Sequence, residues 1–461
     1  MPTTTPRQDG ELVVVSCGML GYGFPEASIE RAVGVGLDLI AVDAGSTDPG
    51  PYYLGSGKPF CNDAMVRRDL ELLLDAQIES GAKLVIGSAG GAGSDVHLEQ
   101  TLDILRDCVA RRGKPRRIAV ISSEMGKDEL RAALHDGRIS AFETPGLPTE
   151  EDIEQAAHVV AQIGVEPIAA ALRRSDPDIV VSGRAWDPAN IAALPVARGY
   201  DRGLSVHAGK ILECGALAAE PVGGADLLLG RIRPRDFVVE PCDDTRACTV
   251  ESVAAHTMYE KTDPVLLPGP GGVSDLRQTR FEALDPRRVR VSGTRHIHDP
   301  VYRVKLEGAR LAGYRNVVIG GIRDPGMIRQ IDAIQAGVVE RIAAMLAPRI
   351  TPAQYRIRFH RYGVDGVMGR LEPVKATPHE IGLLVDVVGE TEAVAAAVAG
   401  AARSLLLHWS YPGRVATAGN LALPFSPAEI PAGQVFEFNI YHLLEMPDPV
   451  ARFTHRLEMA A

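Results

Sequence analysis

The sequence predicts an α/β fold: a doubly wound parallel sheet over residues 11–230, a mixed α/β region over 231–350 and an α+β domain over 351–461. Three observations predict this arrangement. Short apolar segments alternate with helical patterns through the first half of the chain. Extended segments with Pro-rich turns follow, and the last part combines strands with one helix.

Five apolar segments of the first region have the length and composition of buried parallel strands: ELVVVSC from Glu11, LDLIAVD from Leu37, KLVIG from Lys83, RIAVISS from Arg117 and DPDIVVS from Asp176. Helical patterns separate them, as in the segment from about Asn62 to Ser80. Because ligands bind beyond the carboxyl ends of such strands, the polar loops that follow them are expected to share one edge of the sheet.

The regions after residue 230 show a different pattern of extended segments, turns and helices. From about Arg231 the chain contains the Pro-rich turn LLPGPGG, the alternating run YRVKLEG and a further strand and helix from NVVIGG onward. The last region contains the strands YRIRFHRYG and EIGLLVDVVG, a helix from Glu392 to Leu407, a long loop and the strand QVFEFNIYHLL. These patterns predict the mixed α/β and α+β regions.

The composition of the chain limits the classes of molecule that it is expected to bind. The 461 residues carry a formal net charge of -10, so no broad basic field favours a nucleic acid or an anionic membrane, and a small-molecule substrate fits better. The six cysteines form no Cys-x-x-Cys pair, which argues against a disulfide framework or a structural zinc site. The polar start of the chain and the lack of a long apolar run predict a cytoplasmic protein that is not inserted into a membrane.

The Gly-rich segment GSAGGAGSD, from Gly87 to Asp95, follows a predicted strand and opens a predicted helix. Such a loop could offer backbone N–H groups to a phosphate or a carboxylate. A tight turn capped by Ser94 or Asp95 is the alternative. Its candidate substrate-binding residues are Ser88, Gly90, Gly91, Ser94 and Asp95.

The segment DAGSTDPGPYYLGSG places Asp43, Ser46 and Asp48 at the same predicted edge. Carboxylate and hydroxyl groups there could hold a hydroxylated or carboxylated ligand or a divalent cation, and Asp43 and Ser46 are candidate substrate-binding residues. Asp48 could instead be only a turn residue before Pro49. This pattern identifies no specific cofactor, and it leaves a divalent metal as one option.

The motif GRAWDP places Arg184 and Asp187 directly after a buried strand. An arginine fork can bind a substrate carboxylate with two hydrogen bonds, and the aspartate can orient the arginine or act as a base. A purely structural Arg–Asp pair is the alternative.

The segment HAGKILECGA contains the densest group of reactive side chains: His207, Lys210, Glu213 and Cys214. Helical spacing brings the first, second and fourth toward one face and places the glutamate three residues after the lysine. They are candidate catalytic residues, as acid, base, metal ligands or thiol nucleophile. Alternatively, Cys214 is a buried apolar residue and Lys210 with Glu213 is a surface ion pair.

Two further segments contain candidates. His296 and His298 of TRHIHDP alternate along a predicted strand and could bind a metal with Asp299, although an exposed pair without a ligand is the preferred interpretation. The long loop HWSYPGRVATAGNLALPFSP contains Arg414 and Asn420, which could line the site or a subunit interface.

Together, GRAWDP, HAGKILECGA, AHTMYEKTDPVLLPGPGG, YRVKLEGARLAGYRNVVIGGIRDP and YPGRVATAGNLALPFSPAEIP resemble the acyclic terpene utilisation family AtuA, over about Val13 to Leu444. This resemblance implies a bacterial-type protein of acyl-CoA and carboxylic-acid catabolism. It also implies a homo-oligomer or a complex with a small companion subunit, and it assigns no catalytic residue. The DAGSTDPGPYYLGSG loop departs from the terpene enzymes, so a small polar carboxylate is expected in place of a terpenoid.

We therefore expect a lyase that adds or removes water at a small carboxylate or acyl-CoA substrate. In this hypothesis Arg184 binds the carboxylate, His207 or Glu213 removes a proton, and Lys210 or Asp43 assists the leaving group. The alternatives are a hydrolase or acyl transferase with Cys214 or a serine as nucleophile, and a noncatalytic subunit of a metabolic complex.

Overall fold

The computed structural model describes residues 10–142, 146–222 and 226–461, and the polar start of the chain lies outside them. The chain forms two compact units. The first comprises the residues up to Arg310 together with Phe438–Ala461, and the second comprises Leu311–Glu437. The division into three sequence regions stays a prediction.

Strands and helices alternate through most of the chain. The strands are β1 (Leu12–Met19), β2 (Leu39–Asp43), β3 (Lys83–Gly87), β4 (Arg116–Ile121), β5 (Ile139–Ala141), β6 (His158–Gln162), β7 (Ile179–Ser182), β8 (Leu228–Ile232), β9 (Asp236–Pro241), β10 (Leu266–Gly269), β11 (Gly272–Asp275), β12 (Arg280–Ala283), β13 (Val289–Ser292), β14 (Arg295–His298), β15 (Arg303–Ile322), β16 (Tyr355–Tyr362), β17 (Ile381–Gly389), β18 (Glu429–Glu445) and β19 (His455–Ala460). The helices are α1 (Glu26–Val35), α2 (Pro51–Ser56), α3 (Asp63–Ser80), α4 (Asp95–Arg112), α5 (Lys127–His135), α6 (Glu150–Gln155), α7 (Val165–Ser175), α8 (Asp187–Ala197), α9 (Arg202–Leu212), α10 (Val250–Thr257), α11 (Pro325–Arg329), α12 (Ile331–Leu346), α13 (Glu392–His408) and α14 (Pro449–Arg452).

The first unit is built on a ten-stranded sheet of order β12-β13-β9-β8-β1-β2-β3-β7-β4-β19. Strands β1, β2, β3, β7 and β4 are parallel to their neighbours within this group. The strands on both sides of the group pair antiparallel. The predicted α/β class is confirmed, but the sheet is mixed: the prediction of a parallel sheet describes only its central strands.

Helices cover both faces of the central strands. On one face Val14, Ala41 and Val180 belong to a core that includes residues of α7, α8 and α9. On the other face the intervening residues, such as Val15 and Ile40, belong to a core with α1, α3 and α4. Because both faces are buried, these strands read as continuous apolar runs in the sequence rather than as alternating ones.

Two short strands of the first unit were not among the predicted strands. β5 has only three residues, and β6 carries the polar ends His158 and Gln162, so neither has the long apolar run that marks the central strands. Both are stabilised by distant partners, since β6 pairs with residues 305–309 of β15 and β5 pairs with residues 442–444 of β18. Local sequence patterns do not report such pairings.

In the second unit, β17 lies between β16 and the 314–322 segment of β15, and all three pair antiparallel. Helices α12 and α13 pack on this sheet around Val338, Ile342, Val398 and Leu406. No helix among the described residues is long and apolar enough to span a lipid bilayer.

Candidate functional site

A cleft of about 650 Å³ opens in the first unit, a size that suits a small-molecule ligand. One part of its wall is apolar and includes Trp186, Leu266 and Val273, and another part is densely charged. The charged lining residues are Asp48, Arg184, Asp187, Lys210, Glu213, Glu260, Lys261, Asp263, Asp299, Arg303 and Lys305.

The local sequence explains how four charged side chains come to line this cleft. Arg184 follows the buried strand β7, and Asp187 opens α8 with Pro188 at the next position, where proline and an acidic residue both favour a helix start. Helix α9 begins at the cap Asp201, whose side chain accepts a hydrogen bond from the N–H of Leu204 at 2.8 Å. This helix ends next to Glu213, so Lys210 and Glu213 both reach the cleft.

Arg184 is the most constrained charged residue of the cleft, with only 2% of its surface exposed. Its Nε donates to Oε2 of Glu307 at 2.9 Å, and its Nη1 donates to Oδ1 of Asp187 at 3.0 Å. Nη1 also donates to the Ser88 hydroxyl at 3.1 Å. Nη2 has no hydrogen-bond partner among the described residues, so this nitrogen stays available to a ligand.

Ser88 and two glycines fix the loops around Arg184. Ser88 adopts a φ of 53°, which is unusual for a residue other than glycine, and its hydroxyl accepts the N–H of Ala185 at 3.2 Å. A Cβ at Gly45 would lie 2.2 Å from the Cα of Gly91, and one at Gly93 would lie 2.1 Å from the backbone nitrogen of Arg184. The glycines are therefore needed for backbone packing between these loops.

Glu307 is fully buried and neutralises two cations of the cleft. Its Oε1 lies 2.6 Å from Nζ of Lys305 and accepts the Thr47 hydroxyl at 2.9 Å, while Oε2 accepts from Arg184. Although burial opposes ionisation, Arg184 and Lys305 lower the pKa of Glu307 to about 2. The carboxylate is therefore ionised over the physiological range.

Lys210 and Glu213 form a second buried ion pair. Burial raises the pKa of Glu213 to about 8, with Lys210 opposing and Asp187 reinforcing the shift. Glu213 keeps the pKa of Lys210 raised against burial. The Oε2 atom of Glu213 is buried without a hydrogen-bond partner among the described residues. A buried carboxylate oxygen of this kind is a strong acceptor for a ligand proton.

A third carboxyl group lies close to this pair. Burial raises the pKa of Asp43 well above its ordinary value, and the negative charges of Asp187 and Glu213 add to the shift while Arg184 opposes it. Asn190, one helical turn after Asp187, is fully buried beside Gly87, and neither of its amide atoms has a partner among the described residues. The interior near the cleft thus contains polar groups that the fold leaves unsatisfied.

Some predicted site residues reach the cleft, and others lie elsewhere. His207 is fully buried, with Nδ1 at 2.7 Å from the Thr294 hydroxyl and Nε2 at 3.0 Å from the Thr257 hydroxyl. It does not line the cleft, and burial lowers its pKa to about 3. Cys214 is half-buried beside Glu213, and burial together with that carboxylate raises the pKa of its thiol.

The Gly87–Asp95 and Asp43–Asp48 loops mostly make internal contacts. The Ser94 hydroxyl lies 2.7 Å from Nδ1 of His97, and Asp95 accepts from the Ser122 hydroxyl. The Ser46 hydroxyl accepts the N–H of Asp48 at 2.9 Å. Gly90 and Gly91 both adopt positive φ and pack closely against neighbouring loops.

The remaining candidates do not line this cleft. His296 and His298 lie on β14, where His298 is exposed and His296 packs against Gly272. In the second unit, Arg414 donates to the carbonyl of His408 at 3.0 Å, and Asn420 donates to that of Trp409 at 2.9 Å. These two side chains thus hold their own loop together.

Glu307 does not line the cleft itself but pairs with Arg184 and Lys305, which do. The charged residues of the site that escaped the sequence analysis include Lys305, Glu307, Glu260 and Lys261. The first two could have been found, because they are two residues apart in the alternating run YRVKLEG and must share one face of a strand. The other two lie in a turn after α10, where the sequence gives no comparable signal. Within the described ranges, no group of three or more His, Cys, Asp or Glu side chains is arranged to hold a metal ion.

The sequence profile of the family described as acyclic terpene utilisation family protein AtuA matches residues 61–224 and 236–430. The chain belongs to the AtuA family. The matched segments include Arg184, Lys210, Glu213 and Lys305, so most of the charged wall of the cleft lies within the matched residues. Searches of curated proteins and of solved structures gave no significant match to this AtuA-family chain.

Proposed function

We propose that the protein is a lyase that uses acid–base chemistry to add or remove water, or a similar small group, at a small carboxylate or acyl-CoA substrate. One observation carries the proposal. The cleft presents a free guanidinium nitrogen, Nη2 of Arg184, together with an unpartnered carboxylate oxygen, Oε2 of Glu213. An anion-binding group and a base in one partly enclosed site are the minimum for removing a proton next to a carboxylate or thioester.

Arg184 would bind the substrate carboxylate through Nη2. Its other nitrogens are already held by Glu307, Asp187 and Ser88, so the side chain loses little further freedom when a ligand binds. The Glu307 carboxylate balances the guanidinium charge and so limits the positive charge of the cleft.

Glu213 would remove the substrate proton, and Lys210 would protonate the leaving group. A carboxyl group with a pKa of about 8 is a stronger base than an ordinary glutamate, and it lies close to the pH at which an acid–base catalyst works best. Lys210 already donates to Oε1 of Glu213, so the two groups can exchange a proton directly. Asp187 and Asp43 would orient Arg184 and tune the charge of the pair.

This assignment gives no role to His207, since both of its ring nitrogens are occupied by threonine hydroxyls away from the cleft. It also disfavours Cys214 as a nucleophile, because its raised thiol pKa leaves little thiolate at neutral pH.

The proposal is tested by ligand-induced stabilisation followed by an activity assay. The purified protein is melted alone and with malate, citrate, 3-hydroxybutyrate or 3-hydroxybutyryl-CoA, and compounds that raise Tm are assayed for dehydration by the absorbance of the unsaturated product. A ligand at about 100 times its Kd adds about 2.7 kcal/mol of stability.

The variants Arg184→Lys and Glu213→Gln separate binding from chemistry. We expect Arg184→Lys to lose the ligand-induced rise in Tm, and Glu213→Gln to retain the rise while losing turnover by about 100-fold or more. Asp128→Asn, at an exposed ion pair on α5, is the control. A folded Glu213→Gln variant with full turnover would contradict the assignment, and the lack of any stabilising carboxylate would favour a noncatalytic subunit.

A further inference from the structure

The cleft contains three lysines, and they differ in their partners. Lys210 is paired with Glu213, and Lys305 is paired with Glu307. Lys261 is half-buried in the same cleft, yet its ammonium group makes no hydrogen bond or ion pair within the described ranges of the chain. A long cationic side chain that is partly desolvated and unpaired is unusual, because burial of a charge normally requires a partner.

The backbone is strained at Glu260, directly before Lys261 in the cleft lining. Glu260 has a φ of 58°, one of only a few positive values among the described residues other than glycine. Helix α10 ends at Thr257, and the N–H of Lys261 then donates to the carbonyl of Met258 at 3.2 Å. Strained residues of this kind persist where the surrounding structure enforces them, and they are frequent at functional sites.

Tyr259 connects this turn to Lys210 of the Lys210–Glu213 pair. Its ring stacks on His256 with a centroid separation of 5.4 Å, and Nζ of Lys210 lies 5.4 Å from the same centroid. The turn therefore brings Lys261 into the field of Lys210, Glu213 and Asp187. Burial first and the Lys210 charge second lower the pKa of Lys261, while Glu213, Asp187 and Glu260 oppose the shift. A lysine beside a second cation in a partly desolvated site is a known arrangement for a nucleophilic amine.

We propose that Lys261 is a nucleophile that forms an imine with the carbonyl carbon of an oxo-carboxylate substrate. This inference rests on the proposed function, because Arg184 binds the carboxylate of the same molecule, and it narrows the substrate to compounds that carry a ketone or aldehyde.

Lys261 and Glu213 can supply and accept the protons that imine formation requires. The neutral amine of Lys261 adds its electron pair to the carbonyl carbon, and one proton then moves from the attacking nitrogen to the carbonyl oxygen to give a neutral carbinolamine. Glu213 in its protonated form supplies a second proton to the hydroxyl group, which leaves as water, and the iminium nitrogen carries the positive charge. The iminium then accepts the electrons released when Glu213, now ionised, removes a proton from the neighbouring carbon.

Reductive trapping tests this inference. The intact protein is incubated with pyruvate, acetoacetate or levulinate in the presence of cyanoborohydride, and the products are analysed by intact mass and peptide mapping. We expect a single adduct on Lys261 with at least one probe, heavier than the protein by the probe mass less one oxygen atom. Because burial and the Lys210 charge lower the pKa of Lys261, this lysine offers more free amine at neutral pH than a surface lysine.

Two lysine variants serve as matched comparisons. Lys261→Arg keeps the charge but cannot form an imine and should lose the adduct, whereas Lys58→Arg, at an exposed lysine that does not line the cleft, should keep it. Lys210→Met should slow trapping near pH 7 and leave it nearly unchanged near pH 10, because it removes the neighbouring positive charge.

The outcomes separate this inference from the proposed function. Trapping spread equally over surface lysines, and unchanged in Lys261→Arg, would overturn the imine. If a carboxylate still raises Tm through Arg184 while no probe labels Lys261, the imine is wrong and the proposed lyase stands. If no carboxylate stabilises the protein and no probe labels Lys261, both are wrong.

Discussion

Nε of Arg184 donates to Oε2 of Glu307 across 2.9 Å, in an ion pair that is almost entirely buried. The two residues come from β15 and from the loop after β7, which are far apart in the chain. The pair therefore fixes Arg184 of the motif GRAWDP to a strand that is distant from this motif in the chain. Lys305 shares the same carboxylate, so one glutamate organises two cations of the cleft.

We predict that Glu307→Gln strongly destabilises the protein. Removing one partner of a buried ion pair leaves the other charge uncompensated, at a cost of about 3–5 kcal/mol. Urea unfolding of the variant and of Glu154→Gln, whose partner Arg131 is more exposed, measures the difference. If both variants lose the same free energy of unfolding, the buried pair contributes no more to stability than the exposed one.

The same carboxylate predicts a dependence of stability on pH. Because the folded-state pKa of Glu307 is about 2, below the ordinary value of 4.5, its contribution is complete above about pH 4.5 and is lost as the pH falls toward 2. The decline of Tm between these values should be shallower in Glu307→Gln than in the natural protein. Parallel declines would contradict this assignment.

Asp43 should behave in the opposite sense. Its folded-state pKa is raised, so its contribution to stability is complete below the ordinary value of 3.8 and is lost as the pH rises through the folded-state pKa. We therefore expect Asp43→Asn to gain Tm relative to the natural protein as the pH is raised above 3.8. A variant that is less stable by the same amount throughout would indicate an ionised Asp43 held by Arg184.

His207 should act as a structural residue. The neutral ring is buried with a pKa of about 3, below its ordinary value of 6.5, so protonation of the unfolded chain destabilises the fold as the pH falls from 6.5 toward 3. His207→Gln should therefore lose less stability than the natural protein over this interval. His135→Gln, at an exposed histidine, is the control, and turnover of His207→Gln at pH 8 should be retained if the variant folds.

The Cys214 thiol should react slowly. Since its pKa is raised, alkylation by iodoacetamide at pH 7.5 should be slower than that of glutathione and should accelerate as the pH rises. Peptide mapping over time gives the rate, and Cys214→Ser should keep ligand-induced stabilisation. Rapid alkylation with complete loss of turnover would restore the hydrolase or acyl-transferase alternative.

Gly45 provides a steric test of the loop packing. A Cβ there would meet the backbone of Gly91, whereas Gly50 in the same loop also has a positive φ but has nothing within 4 Å of its added Cβ. Gly45→Ala should therefore lower the free energy of unfolding by about 1–3 kcal/mol more than Gly50→Ala. Equal effects would mean that only the backbone conformation matters.

The sequence predicted the central strands well because both of their faces are buried, so apolar composition marks them directly. It missed the antiparallel strands that complete the sheet, such as β8 and β19, because their pairing depends on contacts between distant segments. Arg184, Asp187, Lys210 and Glu213 could be predicted for the cleft, since each lies in a motif of reactive side chains near a strand or helix end. His207 shows the limit of that reasoning, because helical spacing does not tell which side of a helix faces the core.

The last strand at one side of the sheet of the first unit is β19, which pairs with β4, a strand far from it in the chain. The second unit is synthesised between these two strands. On the ribosome, this side of β4 therefore stays unpaired until residues 455–460 have emerged. During translation this apolar edge is open to other nascent chains, so the yield of folded protein should depend on elongation speed and on chaperone access more than the stability of the finished fold would suggest.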